Sequence, residues 1–278
     1  MIKDDLSFEE YQEIDAVNIS SLKMMRRSPA HYFQAITEQE TENNNLLLGS
    51  LVHCLILQPE TFDATYIEVP KIDRRTKEGK EQADYIARKC DLEGLIPVAY
   101  ELAEEARIIA KQAGNHPYFR LFHTDTSRQE ISLTWTNRGV DCKGRIDHYD
   151  PKTKTITDIK TTKDASPEEF SKSIYNFGYH NQAAWYIDGC KENGLEVEDY
   201  ILFVIEKDAP YCIVVYRLNQ QDIALARAEN DRFLSQLIQC RKEKHFVGYP
   251  EEIQEITIPT WAVARTDKSL MNEVNCNE

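Results

Sequence analysis

Hydrophobic and polar positions follow two rhythms along the chain. In the first part apolar residues recur at helical spacing, and from residue 129 they alternate, as in a strand with one buried face. Ser20 and Ser21 are placed to cap a helix through LKMMRRS, and Pro29 marks a break or the first turn of a second helix, AHYFQAI. Leu46 to Leu57 is almost wholly apolar, broken only by Gly49, Ser50 and His53, and it stops before Pro59. That pattern predicts a helix packed between other elements, with His53 carried inside. Glu78–Lys89 and Pro97–Ala113 have helical periodicity with charged outer positions, the mark of solvated covering helices.

The alternating stretch reads as EISLTW, a turn at Asn137-Arg138-Gly139, VDCKGRIDHY, a turn at Asp150-Pro151-Lys152, and KTITDIKTT, a three-stranded antiparallel meander. Helices follow from Pro167 and from about His180 to Cys190. Strands YILFVIE and YCIVVYRL come next, and a long helix runs from Gln221 to about Lys244. The predicted fold class is α/β, a mixed sheet covered on its faces by helices, with an N-terminal helical portion.

No repeat or Gly/Ser-rich linker divides the 278 residues, so one domain is expected over 1–278. It comprises a mainly helical portion 1–125 with the His53 helix, a sheet with covering helices over 126–262, and a tail 263–278. The longest apolar run is too short to cross a bilayer, and the opening MIKDDLSFEEYQE is acidic with no apolar export segment behind it, so a cytoplasmic protein is expected. Seven scattered cysteines without a CxxC pair indicate neither a disulfide framework nor a zinc ribbon. The net charge of −14 on its face argues against a nucleic-acid partner, and is compatible with one only if positive groups are segregated along an inner channel.

The chemistry concentrates in the meander. Alternation puts Asp141, Lys143, Arg145 and Asp147 on one face of the second strand, with Val140, Cys142, Ile146 and His148 on the other. Asp158 and Lys160, two residues apart on the third strand, share a side, and the turn brings them beside Asp147. Two carboxylates crowded beside one ammonium repel unless a cation compensates them, and hard oxygen ligands suit Mg²⁺ or Mn²⁺. An isolated DxK would read as a solvated hairpin; GRID followed ten residues later by DIK, with a buried His53 helix upstream, is a far more restrictive pattern.

His53 in LLLGSLVHCLILQPETF, Asp147 in GRID, Asp158 and Lys160 in DIKTT, and Gln182 with Tyr186 in YHNQAAWY resemble the PD-(D/E)xK nuclease core in its RecB-like form. More closely, SSLKMMRRSPAHY, LGSLVHCLILQPETF, DIKTT, YHNQAAWYIDG and IPTWA resemble the catalytic domain of the RecE-type exodeoxyribonuclease VIII family, over residues 19–262. The resemblance implies a restriction-endonuclease-like sheet and a Mg²⁺-dependent exonuclease that degrades linear duplex DNA from 5′ ends, with Mn²⁺ as a substitute and two ions per site. It further implies 3′ single strands left for a RecT-like annealing partner, a ring-shaped homo-oligomer such as a tetramer, and a bacterial or phage-infected cell as the setting.

On that reading His53, Asp147 and Asp158 hold metal, and the carbonyl of Ile159 is a further ligand because it sits between two site-facing side chains. Lys160 positions the attacking water or stabilises the transition state. The missing side chain at Gly49 lets the His53 helix approach the sheet. Gln182 and Tyr186, an i,i+4 pair, face the site and bond phosphate or support the ligands; as a plain packing stripe they would do neither. Lys23, Arg26, Arg27, Lys143, Arg145 and Lys163 are candidates for holding DNA, and the segment Lys71–Lys89, with a local charge of +3, either lines a DNA path or is a surface helix with its loop. The scattered cysteines give no reason to expect an iron–sulfur cluster. A catalytically silent DNA-binding or assembly protein, and a structure-specific endonuclease, remain open alternatives.

Overall fold

The protein is represented by a computed structural model that describes residues 1–3, 6–38 and 44–260. Its strands are β1 (Ile2–Lys3), β2 (Tyr66–Val69), β3 (Ile96–Ala99), β4 (Arg128–Asn137), β5 (Val140–Asp150), β6 (Thr155–Thr162), β7 (Asp199–Glu206) and β8 (Ile213–Arg217). The helices are α1 (Phe8–Glu13), α2 (Ile19–Leu22), α3 (Pro29–Thr37), α4 (Asn44–Leu57), α5 (Phe62–Thr65), α6 (Lys77–Glu93), α7 (Tyr100–Asn115), α8 (Pro167–Phe177), α9 (Tyr179–Glu192) and α10 (Gln220–Glu243).

Six strands make one sheet in the order β1-β4-β5-β6-β7-β8. The antiparallel meander β4-β5-β6 is the expected one. β6 then runs parallel to β7, because the chain between them crosses over through α8 and α9, and β8 returns antiparallel. The fold is therefore the helix-flanked mixed sheet that the alternation predicts.

Both sheet faces are covered, and the interior strand β7 shows how. Tyr200, Leu202 and Val204 enter a core with Trp185 of α9 and Phe233 and Leu237 of α10. Phe203 and Ile205 enter a second core with Leu51, Val52 and Ile56 of α4 and Ile109 of α7. Each such apolar side chain, once buried, contributes on the order of 1.5–3 kcal/mol, so a strand apolar on both faces belongs inside the sheet rather than at its edge. α4 lies between the sheet and α7, which is why its sequence is apolar nearly all round.

Several local expectations give way. The first early helix is capped by Asn18, whose Oδ1 accepts from Ser21 N at 2.8 Å; Ser20 and Ser21 lie inside α2, which tightens into a 3₁₀ turn over Lys23–Arg26. Pro29, by contrast, opens the second helix as expected, as the first residue of α3 behind Ser28 as cap. Pro97 belongs to β3, and α7 begins at Tyr100. Within the portion 1–125, three short strands join the helices: β1 pairs with β4, and β2 pairs in parallel with β3. Gly49 does face Thr161 on β6, but an added Cβ would meet its Oγ1 at an ordinary 3.5 Å, so the approach of α4 does not require glycine.

The folded body is Met1–Phe246. A second unit starts at Val247, and its described residues, 247–260, are exposed throughout. Of IPTWA, Trp261 and Ala262 lie outside the described residues, as does the tail 263–278. Among the described residues no helix is long and apolar enough to cross a membrane.

Candidate active site

The site is a fork between β5 and β6. Their ladder joins Asp150 to Thr155, Tyr149 to Ile156 and His148 to Thr157, and then stops. The same register would set Asp147 opposite Asp158; instead Ile159 N donates to Asp147 Oδ2 at 2.8 Å. β6 keeps its full ladder with β7, so the freed edge belongs to β5. Its backbone groups find other partners. Lys143 N donates to Val17 O, Val17 N donates to Asp141 O, and the Lys143 carbonyl accepts from Trp185 Nε1 at 3.0 Å.

The pleat of β5 slips at the same place. Ile146 and Tyr149, three residues apart, face the core beneath α9 and α10, while His148 packs on Phe122 of the other core, ring centroids 5.0 Å apart. Strict alternation, which would keep Ile146 and His148 on one face, therefore fails here. Across the break Glu130 takes a left-handed backbone, φ 51°, and the Glu130–Asp147 rung is missing from the β4–β5 ladder. Such irregularities re-aim side chains.

Three side chains converge as a result. His53, Glu130 and Asp147 each offer a ligand atom, and these atoms lie within 4.8 Å of one another. His53 Nε2 is 3.0 Å from the Ile159 carbonyl, and Nδ1 is 3.5 Å from Asp147 Oδ2. With Nε2 donating to Ile159, the Nδ1 lone pair is left facing the carboxylates, the arrangement in which one ring nitrogen is anchored and the other binds metal. Arg145 holds Glu130 through a 2.5 Å contact from Nε to Oε2. Glu130 is absent from the expected ligand set. The meander turn would have revealed it, since pairing about Asn137–Val140 carries it to the position across from Asp147.

Asp158 and Lys160 stand beside this trio and are tied to each other. Asp158 is buried, its Oδ2 lies 2.5 Å from Lys160 Nζ, and neither oxygen has a hydrogen bond of good geometry. A buried carboxylate so poorly satisfied is costly, and a divalent cation would relieve it. The Ile159 carbonyl, expected as a ligand, is bonded by His53 here. Burial pushes the Asp147 carboxyl up to about 7, and Asp158 adds to the rise against the opposing pull of His53 and Lys160. Burial works against the Lys160 ammonium, but Asp158 and Asp147 outweigh it and hold its pKa above the usual lysine value. The two carboxylates thus favour the charged form of Lys160. Carboxylates, imidazole and an under-satisfied buried oxygen pair are a donor set that fits Mg²⁺ or Mn²⁺.

Gln182 and Tyr186 meet as expected on one face of α9, Gln182 Nε2 donating to Tyr186 Oη at 3.0 Å. The Tyr186 ring lies against Gly144, where a Cβ would come within 3.0 Å of it. Burial holds the Tyr186 hydroxyl well above the ordinary tyrosine range, with Tyr11, Asp158 and Asp147 adding to it. Tyr200 and Tyr179 also border the site, Tyr179 with its ring 4.8 Å from Lys160 Nζ.

The basic candidates divide. Lys143 is buried, and its Nζ donates to the carbonyls of Tyr11, Gln12 and Ile14 at 2.8–3.0 Å, which finishes α1. Arg145 is engaged by Glu130 and the Leu6 carbonyl. Arg26 clamps Glu229, Asn181 and the Tyr175 carbonyl. Lys23 Nζ donates to Phe177 O. These four have partners within the fold. Arg27 and Lys163 are exposed, and among the described residues neither forms an ion pair. In the Lys71–Lys89 segment, α6 and its preceding loop are largely exposed, and Arg75 pairs with Asp73.

Residues 18–258 match the family described as a PDDEXK-like domain of unknown function, and the chain belongs to that family. Among solved structures, a presumed exonuclease from Eubacterium rectale superposes with a TM-score of 0.63 at 12% identity, covering 93% of this chain and 98% of that one. It shares the fold. A phage-related exonuclease from Haemophilus somnus 129PT is 16% identical over 70% of this chain and 98% of its own, with a TM-score of 0.32, too low to establish a common fold. No curated protein matches the sequence.

Proposed function

We propose that this protein is a metal-dependent nuclease, and specifically a Mg²⁺-dependent exodeoxyribonuclease that shortens linear duplex DNA from its 5′ ends and leaves 3′ single strands for an annealing protein of the RecT kind. The observation that carries the reading is the fork, which gathers His53, Glu130 and Asp147 beside the Asp158–Lys160 pair. Membership of the PDDEXK-like family supports it, and so does the whole-chain likeness to the presumed exonuclease.

His53, Asp147 and Glu130 would hold the ion, with Asp158 turning to it from Lys160. When bound, the ion supplies an acidified water and neutralises charge on the phosphate. Ile159 anchors the site twice, its N–H holding the Asp147 carboxylate and its carbonyl holding the His53 ring. Arg145 keeps Glu130 aimed inward. Lys160, once released by Asp158, presents a fixed positive charge to the phosphate as negative charge builds there. Gln182 and Tyr186 close the α9 side of the fork and offer hydrogen bonds to phosphate oxygens.

The test incubates linear and closed circular duplex DNA with the protein, with and without Mg²⁺, beside Asp158→Ala. Loss of the linear form alone, only with metal and only in the parent protein, is expected. Nicked circles would make it an endonuclease, and an active Asp158→Ala would remove the site. Strand polarity is read by labelling one end at a time.

A further inference from the structure

One aromatic ring next to the fork is held firmly and left open to solvent. Phe177 ends α8 and is 56% exposed. Its ring stacks on Tyr179, centroids 5.7 Å apart and planes 29° apart. Tyr179 in turn lies 4.8 Å from Lys160 Nζ and stacks on buried Phe170, which stacks on Tyr216. The corner carrying these rings is braced. Gly178 supplies the left-handed turn between α8 and α9, φ 67°, and Lys23 Nζ holds the Phe177 carbonyl at 2.9 Å.

Isolated exposed apolar residues are ordinary on protein surfaces. This one is not isolated: it is the outer member of a stack whose next ring, Tyr179, touches the cation of the candidate site. From this geometry we infer that Phe177 and Tyr179 form a stacking platform for a nucleobase of a single-stranded segment whose phosphate lies at Lys160. The inference rests on the nuclease reading and adds a base-binding subsite to it. Aromatic faces accept any base, because every base has a π-face, and a ring already fixed in place loses little freedom on binding. With Tyr179 4.8 Å from Lys160 Nζ and Phe177 5.7 Å from Tyr179, the exposed ring is at most about three base steps of about 3.4 Å each from the cation. Exposed Lys163, at the end of β6, adds positive charge close to Lys160 in sequence.

The experiment measures the affinity of a short single-stranded DNA by fluorescence anisotropy in chelator, so that no cleavage intervenes, for the parent protein, Phe177→Ala and Phe177→Trp. Phe177→Ala should weaken binding about tenfold, and Phe177→Trp should restore it. Moving an abasic nucleotide along the strand should find a position that costs the parent the same factor and costs Phe177→Ala nothing further. Because Phe177 is exposed, the alanine variant is expected to fold; an unchanged thermal midpoint checks this. An alanine variant that binds like the parent, or an abasic loss that persists in it, overturns the platform while leaving the nuclease reading intact. A parent that neither binds nor cleaves DNA overturns both.

Discussion

Replacing Asp147 by asparagine should make the metal-free protein more stable above neutral pH while destroying its metal site. The carboxyl titrates at about 7 in the folded chain against an ordinary 3.8, because burial and Asp158 oppose its ionisation. The folded state thus holds the proton more tightly than the unfolded chain does. Its contribution to stability is full below pH 3.8, is lost as pH rises toward 7, and stays lost above that. A rise of about three pKa units corresponds to roughly 4 kcal/mol. Asparagine keeps an oxygen for Ile159 N and never ionises, so Asp147→Asn should recover much of that roughly 4 kcal/mol at pH 8 and nothing at pH 4. For a chain of this size each kcal/mol moves the melting point by about 2–4 °C. Thermal melts in chelator at both pH values measure the gain, and titration with Mn²⁺, which should stabilise only the parent, measures the lost site. A variant destabilised at pH 8 in chelator, or one that Mn²⁺ still stabilises, would refute the reasoning.

Two further substitutions test the frame around the fork. Lys143→Met should strip α1 of the ammonium that satisfies three carbonyls and cost about 3 kcal/mol, seen as a lower melting point and earlier proteolysis near Tyr11. Gly189→Ala would place a Cβ 2.7 Å from Trp135 Cζ3, so α9 must shift away from β4; a loss of about 1–3 kcal/mol in urea unfolding is expected, and a neutral result would show that the Trp135 ring can swing aside.

The alternation from residue 129, the two turns and the long apolar helix are local patterns, and they were enough to place β4, β5, β6 and α4. The turn spacing alone brings the Asp158 strand beside Asp147, because the register of an antiparallel pair follows from its turn. What the sequence could not show is where the pairing stops. The fork depends on Ile159 N choosing the Asp147 carboxylate over a strand partner, and on Val17 and Trp185 satisfying the edge this leaves bare. That break brings Glu130 to His53 and gives the candidate site a third side chain able to ligate a metal. The same holds for the cations. A basic residue in a sequence looks available to any anion, but Arg26 is taken by Glu229, and Lys143 by the end of α1, partners that come within reach only once the chain has folded. Periodicity is a property of neighbours in the chain, whereas the partner of a buried charge is set by neighbours in space. The sequence therefore determined the elements and the central carboxylates, and the tertiary structure decided which charged groups remain free for chemistry.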